Sequence, residues 1–247
     1  MAIDLSLVLA CYNEEPWLER SVREIVRVLD SFRQSYEIIF VDDASIDRTP
    51  EIIRKLAASG PEGRFRAIFH EHNTGRGRSV ADGMRGAAGE IVGFIDVDLE
   101  VHPLYISSCC EAIRQGVHVA VGSRVFKFAP GGLWRRFLSM GYAMLVRMLL
   151  PIGGRLDTES GCKFFLRKAI LPVLDNVMDS GWFWDTEIMV RSRLAGLVIA
   201  EVPCLYIRNP GKPSSVRVVR DIFASLARLH AFRGRLKRDG MTGSGGA

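Results

Sequence analysis

Short apolar runs that end in polar residues alternate with helical patterns along the first half of the chain. The apolar runs predict β-strands at residues 6–11, 37–43, 66–70, 90–96 and 118–123. Between them, apolar residues at helical spacing predict helices at residues 16–32, 50–58, 78–88 and 103–115. Continuous apolar strands need cover on both faces, and the alternating helices supply it. The pattern therefore predicts an α/β fold with a mostly parallel, Rossmann-like sheet and helices on both faces.

The pattern changes after residue 123. Residues 134–150 are rich in Phe, Met and Leu and predict an apolar helix that is too short to span a bilayer. This helix packs in the core, lies in a membrane interface or packs against a partner subunit. The elements predicted beyond it are a loop at residues 157–165, helices at 167–178 and 185–195, and a strand at 198–206. We expect these elements to complete one domain over residues 1–213.

The C-terminal part of the chain has a third pattern. From residue 214 to residue 238, apolar residues recur at helical spacing among arginines, which predicts a basic amphipathic helix. Such a helix is suited to the interface of an anionic membrane. Residues 239–247 are rich in Gly and are expected to be disordered.

Composition is that of an ordinary globular protein. The chain has 247 residues, of which 48% are hydrophobic and 25% are charged. The N-terminus lacks the basic segment of a secretory signal, and no apolar stretch is long enough to span a membrane. The 5 cysteines are odd in number and include no C-x-x-C pair, which argues against a disulfide framework and a zinc site. We therefore expect a reducing, cytoplasmic compartment.

The net charge of +5 is modest, and its basic residues concentrate between residues 208 and 238. Most of the basic excess is arginine, which favours bidentate contacts with phosphate groups. Nucleic acid, anionic lipid or a phosphorylated small molecule would each suit this charge. Because the chain lacks an RNP-type or helix-turn-helix signature, a nucleic-acid-binding module is only a remote alternative. A Rossmann oxidoreductase is excluded, since residues 6–15 contain no glycine-rich phosphate turn.

Acidic residues cluster where the predicted strands end. The segment FIDVDLE carries Asp96, Asp98 and Glu100 at alternate positions, so their side chains share one face of an extended segment. Such like charges repel one another unless a cation lies between them; the alternative is a polar strand end that continues into a loop. Asp42 and Asp43 end the second predicted strand. Since ligands bind at the carboxyl ends of strands in parallel sheets, these acids support a functional site there.

Several motifs occur in an order that resembles a known enzyme family. They are ACYNEE, FVDDASIDRT, NTGRGRSVADGM, FIDVDLEVHP, VGSR, DTESGCKFF, and FWDTEIMV leading to EVP. In this order they resemble the inverting, family-2 type nucleotide-sugar glycosyltransferases of the GT-A fold. The chain most resembles the polyprenyl-phosphate (dolichyl-phosphate) mannose and glucose synthases. The resemblance covers residues 6–219 and implies that residues 1–213 form a GT-A domain.

The resemblance implies a metal ion on the donor side. A nucleotide diphosphate leaves with several negative charges, which a hard divalent cation such as Mg²⁺ or Mn²⁺ neutralises. The residues that the resemblance assigns as metal ligands are Asp96, Asp98 and Glu100. Glu100 takes the place of a residue that is often Gln in the family.

The resemblance also implies a pocket for the nucleotide sugar over the first strand ends. Its expected residues are Ala10, Tyr12, Glu14, Val41, Asp43, Arg76, Asp96, Val97 and Asp98. Tyr12 would contact the base, and Asp43 would accept the ring N–H of the base. Arg76 either approaches the base or diphosphate or faces solvent. For Asp42 we expect a different role, in which it bonds the backbone of a turn.

On the acceptor side, a polyprenyl phosphate already carries a charged oxygen nucleophile. It therefore needs cations that orient it rather than a general base. The candidates for binding its phosphate are Arg124, Lys163, Arg208 and Lys212. Arg124 and Arg208 match phosphate-binding positions of the family, whereas Lys212 departs from the position of the family's basic residue. The expected catalytic residues are Asp96, Asp98, Arg124 and Lys163.

Other polar and aromatic residues leave alternatives open. Asp157, Asp185 and Glu187 either order the acceptor side or supply a base for a hydroxyl acceptor. Trp182 and Trp184 either pack or stack on a sugar, and packing is the expected role. The 5 histidines show no ligand spacing and are expected to be structural or exposed.

These features imply an enzyme that transfers a hexose, with inversion, from a donor of the GDP-mannose or UDP-glucose type to a polyprenyl phosphate. The alternative is the same donor chemistry on a hydroxyl acceptor, such as a glycolipid or a secondary metabolite. A lipid acceptor would hold the enzyme as a peripheral protein on the cytoplasmic face of an anionic membrane. The sequence leaves the sugar, the base and the oligomeric state open.

Overall fold

A mixed β-sheet is the framework of the chain in a computed structural model that describes residues 3–32, 34–60, 63–126, 156–207, 228–236 and 238. The strands are β1 (Leu5–Cys11), β2 (Tyr36–Asp42), β3 (Phe65–Phe69), β4 (Ile91–Ile95), β5 (Val119–Phe126), β6 (Cys162–Leu166) and β7 (Ile199–Tyr206). The helices are α1 (Leu18–Asp30), α2 (Thr49–Ser59), α3 (Arg76–Arg85), α4 (Tyr105–Arg114), α5 (Arg167–Leu174) and α6 (Trp184–Leu194). Residues 228–236 form a further helical segment.

Strands β3, β2, β1 and β4 form a parallel half-sheet. β1 pairs with β2 on one side and with β4 on the other, and β3 pairs with β2. Every residue of β2 and β4 is buried, which explains why both appear in the sequence as continuous apolar runs. Because these strands are parallel, their carboxyl ends meet at one edge of the sheet, where ligands bind in such folds. The predicted α/β architecture is confirmed.

Strand β6 overlaps the end of residues 157–165, a stretch that was predicted to be a loop. It runs antiparallel to both of its neighbours, β4 and β5, so that the described strands have the order β3-β2-β1-β4-β6-β5-β7. The loop prediction holds for residues 157–161 and was wrong for residues 162–165, because a strand of only 5 residues is hard to recognise in the sequence. Pairing with two neighbouring strands stabilises this short segment, and its local pattern does not reveal that pairing.

The hydrophobic core is divided by the sheet into two layers. On one face, Leu7 and Ile38 pack with residues of α1, α2 and α4. On the other face, Val8 and Ile39 pack with residues of α3, α5 and α6. Neighbouring residues of one strand thus contribute to opposite layers, as the alternation of side chains along a strand requires.

The helical segment 228–236 packs against the domain rather than presenting an apolar face. Leu229, Phe232 and Leu236 are fully buried in a cluster with Phe183 and Val190 of the α6 region. For this stretch, the structure does not provide the free apolar face that a membrane-interface helix would need. The rest of the predicted helix 214–238, apart from residue 238, lies outside the described residues, as does the predicted apolar helix 134–150. Among the described helices, none has the length and hydropathy of a membrane span.

Candidate active site

The candidate site lies where β4 ends and α3 begins. Asp96 directly follows β4, and α3 begins at Arg76, two residues earlier than the sequence pattern predicts. The preceding Gly75 has a φ of 100°, a conformation that favours glycine. A Cβ at this position would also collide with the carbonyl oxygen of Ser180. Gly75 therefore allows the loop before α6 to lie directly against the start of α3.

Four charged side chains join end to end at this position. Arg76 donates to Asp96 Oδ1 through Nε and Nη2, at 3.1 and 2.5 Å, and donates to Asp185 through Nη1. Lys163 donates to the other oxygen of Asp185 at 2.6 Å and to the carbonyl oxygen of Ser160. Lys163, Asp185, Arg76 and Asp96 thus form a row of alternating positive and negative charges. We call this row the charge relay line, and the name implies no transfer of protons. It connects β6, α6, α3 and the end of β4.

Burial differs along the charge relay line. Lys163 has no exposed side-chain surface and Asp185 has 6%, whereas Asp96 keeps 35% exposed. Burial raises the pKa of Asp96 most, and Arg76 opposes this rise. The charges of Asp98 and Asp185 add to it. Arg76 is thus offset by burial and by two neighbouring carboxylates, and the accessible part of the Asp96 carboxylate can take a further cation.

The backbone just before β6 also constrains Asp96. The amide of Asp96 donates to the carbonyl oxygen of Gly161 at 2.9 Å. A Cβ at position 161 would overlap the carboxylate of Asp96. Glycine in the motif DTESGCKFF is therefore needed so that an inner strand can approach the acidic strand end.

The predicted three-carboxylate metal site is not assembled in this structure. Glu100 accepts a hydrogen bond from the hydroxyl of Tyr206, and its backbone amide donates to Asp98 Oδ1 at 3.3 Å. In the described part of the chain, no three His, Cys, Asp or Glu side chains are grouped to hold a metal ion. Asp98 nevertheless lies close enough for its charge to raise the pKa of Asp96. Two such carboxylates fit a divalent ion whose other ligands are diphosphate oxygens or water.

Asp43 anchors the loop that leads to Arg76. Its carboxylate accepts bonds from the amide and hydroxyl of Thr74 and from the amide of Gly75, at 2.8 to 2.9 Å. His70 Nδ1 lies 2.9 Å from the same carboxylate. Burial would raise the pKa of Asp43, but the bonds from His70, Thr74 and Gly75 lower it overall. This anchoring role was missed in the sequence, while its predicted bond to a base stays a prediction.

The other residues predicted to bind the nucleotide lie over the same strand ends. Tyr12 is 47% exposed, Ala10 is partly buried, and Val41 and Val97 are buried. The amide of Glu14 donates to Thr49, which ties the loop after β1 to the start of α2. Asp42 Oδ2 accepts from the amide of Ser45 at 3.3 Å, the turn-bonding role expected for it.

On the acceptor side, Arg124 is engaged by a carboxylate. Its Nε and Nη2 donate to the two oxygens of Asp157, each at 2.9 Å, in the bidentate geometry typical of strong pairs. Burial would raise the pKa of Asp157, but the hydrogen bonds and charge of Arg124 lower it overall. The structure thus brings Arg124 together with Asp157 at the edge of β5. The predicted phosphate ligands Arg208 and Lys212 lie outside the described residues.

Glu187, Trp184 and Trp182, near the start of α6, differ in how far their side chains are exposed. Glu187 is fully buried and accepts bonds from Arg191 Nε and from the amide of Asp179, both at 2.9 Å. Trp184 is buried, as expected for packing, whereas Trp182 is 68% exposed, with its ring centroid 5.1 Å from the Arg76 guanidinium carbon. Alternating apolar and acidic residues in FWDTEIMV gave no indication of which side chain faces the site.

Sequence comparisons identify relatives across nearly the whole chain. Glycosyltransferase AglD of Haloferax volcanii is 35% identical over 89% of this chain and 35% of its own length. Dolichyl-phosphate beta-glucosyltransferase ALG5A of Trichomonas vaginalis is 30% identical over 94% of this chain and 74% of its own. Dolichol-phosphate mannosyltransferase of Pyrococcus furiosus is 30% identical over 95% and 66%. The chain thus spans only about a third of the length of the first of these relatives.

A solved structure and a family model also match this chain. Glucosyl-3-phosphoglycerate synthase from Mycobacterium tuberculosis, solved with Mn²⁺, uridine diphosphate and glucosyl-3-phosphoglycerate, matches with a TM-score of 0.67 and 22% identity. That match covers 98% of this chain and 82% of the other and indicates a shared GT-A-like fold. The family model described as glycosyl transferase family 2 matches residues 6–174. The chain therefore belongs to glycosyltransferase family 2.

Proposed function

We propose that this chain transfers a hexose from a nucleoside-diphosphate sugar to a polyprenyl phosphate with inversion at the anomeric carbon. The observation that carries the proposal is the convergence of Asp96 and Asp98 with Arg76 at the carboxyl end of β4. Acidic and cationic groups are both needed there, because a diphosphate leaving group requires neutralisation and the metal requires oxygen ligands. The names of two relatives, a glucosyltransferase and a mannosyltransferase acting on dolichyl phosphate, support a hexose donor and a lipid phosphate acceptor.

On the donor side, Asp96 and Asp98 would hold a divalent cation such as Mg²⁺ or Mn²⁺. When bound, the ion would supply positive charge to the departing diphosphate. Arg76 already neutralises part of Asp96 and would orient that carboxylate at the strand end. Tyr12 and Asp43 lie over the neighbouring strand ends, where we propose that the base binds.

On the acceptor side, the state of the carboxylates supports a phosphate nucleophile over a hydroxyl. Asp157 is paired with Arg124, and its lowered pKa makes it a poor proton acceptor. Asp185 accepts from both Arg76 and Lys163. Glu187 is bonded to Arg191 and turned into the protein. A sugar hydroxyl would need one of these groups as a general base, whereas a phosphate oxygen is already charged.

The cations near the acceptor side would orient the phosphate. The side chain of Arg124 is 19% exposed, and its guanidinium can be shared between Asp157 and an incoming phosphate. Lys163 is fully buried, so its proposed part is to hold Asp185 rather than to touch the acceptor. Arg208 and Lys212 remain proposed phosphate ligands on the strength of the sequence alone.

A donor and acceptor panel tests the proposal. Labelled nucleotide sugars with different bases and hexoses would be incubated with a short polyprenyl phosphate and Mn²⁺ or Mg²⁺, and the product would be extracted into organic solvent. We expect label in the organic phase for one donor class only. Transfer to soluble hydroxyl acceptors, with no transfer to the lipid phosphate, would favour the alternative reaction and contradict the proposed acceptor.

The metal assignment has its own test. Asp98→Ala should abolish transfer while leaving the unfolding transition close to that of the wild type, because Asp98 is partly exposed at a strand end. EDTA should have the same effect, and added Mn²⁺ or Mg²⁺ should reverse it. Asp175→Ala, at an exposed position after α5, is the matched control. Full activity of Asp98→Ala, or of the wild type in excess EDTA, would contradict the assignment.

A further inference from the structure

The helical segment 228–236 contacts the domain directly behind the charge relay line. Phe232 is fully buried, and its ring lies edge-on to the ring of Phe183 with centroids 5.8 Å apart. Phe183 immediately precedes α6, whose second residue is Asp185. Arg191 of the same helix lies over the Phe232 ring, 5.3 Å from its centroid. The segment is therefore packed against the helix that carries the central carboxylate of the charge relay line.

Two arginines of the segment lie beside acids that hold the loop before α6. Arg235 lies 3.9 Å from Glu187, and Arg228 lies 3.8 Å from Asp179. Glu187 in turn accepts the amide of Asp179 at 2.9 Å, and Asp179 accepts the amide of Gly181 at 2.8 Å. Asp179 therefore belongs to the loop at residues 179–183, and Glu187 holds that loop through a hydrogen bond. Each of these two acids faces an arginine of the segment.

The other side of that loop rests on α3. The carbonyl oxygen of Ser180 accepts the amide of Arg78 at 3.0 Å. A side chain at Gly75 would collide with this same carbonyl, and one at Gly77 would collide with Trp184. The loop thus lies between the segment 228–236 and the first turn of α3, which begins with Arg76. A shift of the loop would move both Arg76 and Asp185.

We propose that residues 228–236 form a C-terminal clasp that positions Arg76 and Asp185 through the loop at residues 179–183. Phe232, Arg228 and Arg235 are positioning residues in this proposal, since none of them touches the charge relay line itself. This proposal rests on the proposed function only in its prediction for turnover; its prediction for the loop does not depend on that function. Its contacts also explain why an amphipathic, arginine-rich stretch lies next to a buried acidic loop: the charges pair across the boundary while the apolar face is covered.

The test compares variants that loosen the clasp with a matched control. Arg228→Met combined with Arg235→Met removes both cations and keeps the aliphatic bulk, and the corresponding double Lys variant keeps the charge. Arg233→Met is the control, because Arg233 forms no ion pair with any residue that the structure describes. Phe232→Ala loosens the same contact through its apolar part, with Phe232→Leu as the conservative partner.

Three measurements on the full chain decide the outcome: amide exchange of the loop, the kcat and KM of transfer to a short soluble polyprenyl phosphate analogue, and the thermal transition. We expect the double Met variant to exchange the Asp179 amide about tenfold faster and to lose roughly tenfold or more in kcat, with KM for the donor little changed. The double Lys variant should recover most of both losses, and Arg233→Met should match the wild type.

Unchanged loop exchange or unchanged kcat in the double Met variant would overturn the proposal. So would a loss of kcat that merely follows the unfolded fraction, or a loss that the double Lys variant does not rescue. If Phe232→Ala fails to fold, the double Met and Lys variants still decide. If the wild type transfers no sugar to any acceptor, the proposed function fails, while protection of the Asp179 amide and its loss in the double Met variant continue to decide the clasp.

Discussion

Arg76 donates to Asp96 and Asp185 at once, so one guanidinium pairs with two carboxylates that belong to distant parts of the chain. Its side chain is 13% exposed. Removal of one partner from a buried ion pair is costly, because the remaining charge is left without compensation. Here the cost is reduced on both sides: Asp185 keeps Lys163, and Asp96 reaches solvent.

Arg76→Met should therefore lower the free energy of unfolding by about 2 kcal/mol, below the value for a fully buried pair. Arg76→Lys should lose less, since it keeps one charge. Urea unfolding at neutral pH measures both. The matched control is Arg78→Met, because Arg78 is 56% exposed and pairs with Asp82 only at the surface, a pair that contributes little. An equal loss in Arg76→Met and Arg78→Met would contradict the importance of the charge relay line.

Asp43 makes stability depend on pH in a defined direction. Burial would raise the pKa of Asp43, but the bonds from His70, Thr74 and Gly75 outweigh burial, so its pKa in the folded chain lies below the usual value for aspartate. Its stabilising effect is therefore complete above the unfolded pKa and is lost as the pH falls through the folded pKa. Asp43→Asn should flatten the fall in stability from about pH 5 downward.

Urea midpoints measured between neutral and acid pH test this prediction. Asp175→Asn is the control, since the Asp175 side chain is 72% exposed and its only described ion pair, with Arg85, is 3.8 Å long. In the control, the urea midpoint should fall toward acid pH as it does in the wild type. If the urea midpoints of Asp43→Asn and the wild type fall equally toward acid pH, the anchoring bonds of Asp43 do not contribute to the pH dependence of stability.

At the scale of single elements, α3 and α6 owe their relative position to glycines and to the segment behind them. Gly75 and Gly77 let the loop before α6 contact the first turn of α3. On the far side, the C-terminal clasp covers Phe183 and Val190 of the α6 region. Tertiary packing of an amphipathic face, more than intrinsic propensity, is what stabilises a helix of this length.

Gly234 offers a test of whether the clasp is helical in solution. A Cβ at this position meets no other atom within 4 Å, and its φ is not positive. Gly234→Ala should therefore raise the free energy of unfolding by up to about 1 kcal/mol, the difference in helix propensity between the two residues. Gly116→Ala, at a φ of 105°, should be destabilising instead and serves as the contrast. A neutral or destabilising Gly234→Ala would argue against a docked helix at residues 228–236.

At the scale of the whole molecule, the question is how the protein would reach the proposed lipid acceptor. The apolar face of residues 228–236 is buried, so membrane attraction by this segment would come from charge alone. Arg228 and Arg235 face acids of the domain, which makes them unsuitable for a test of membrane binding. Arg233 is only partly buried and Arg238 is exposed, so these two are the appropriate residues to change.

We expect the protein to sediment with vesicles that contain anionic lipid at low salt and to be released at high salt. Changing Arg233 and Arg238 to Glu should weaken this binding at least tenfold, because each surface charge contributes up to about 1 kcal/mol. Transfer to a short soluble polyprenyl phosphate analogue should stay unchanged in this variant. Binding that is equal for neutral and anionic vesicles, or that ignores salt, would contradict an electrostatic contact.

The amino-acid pattern was sufficient for the layout of the parallel half-sheet and for the place of the acids. Strands β1, β2 and β4 are continuous apolar runs because both of their faces are covered, and such runs can be recognised without tertiary information. The order of the motifs also indicated the family, which the family model over residues 6–174 shows. Residues that follow these strands, such as Asp43 and Asp96, could therefore be assigned to one edge of the sheet.

Tertiary structure alone decided which of these side chains meet and which are occupied. Arg76 and Asp185 are 109 residues apart in sequence, and no periodicity relates two positions at that distance. Likewise β6 is a strand because two neighbours pair with it, and Lys163 is buried because β6 lies inside the sheet. Local patterns encode how a segment is covered, whereas the partners of long charged side chains depend on packing between segments, which only the folded chain determines.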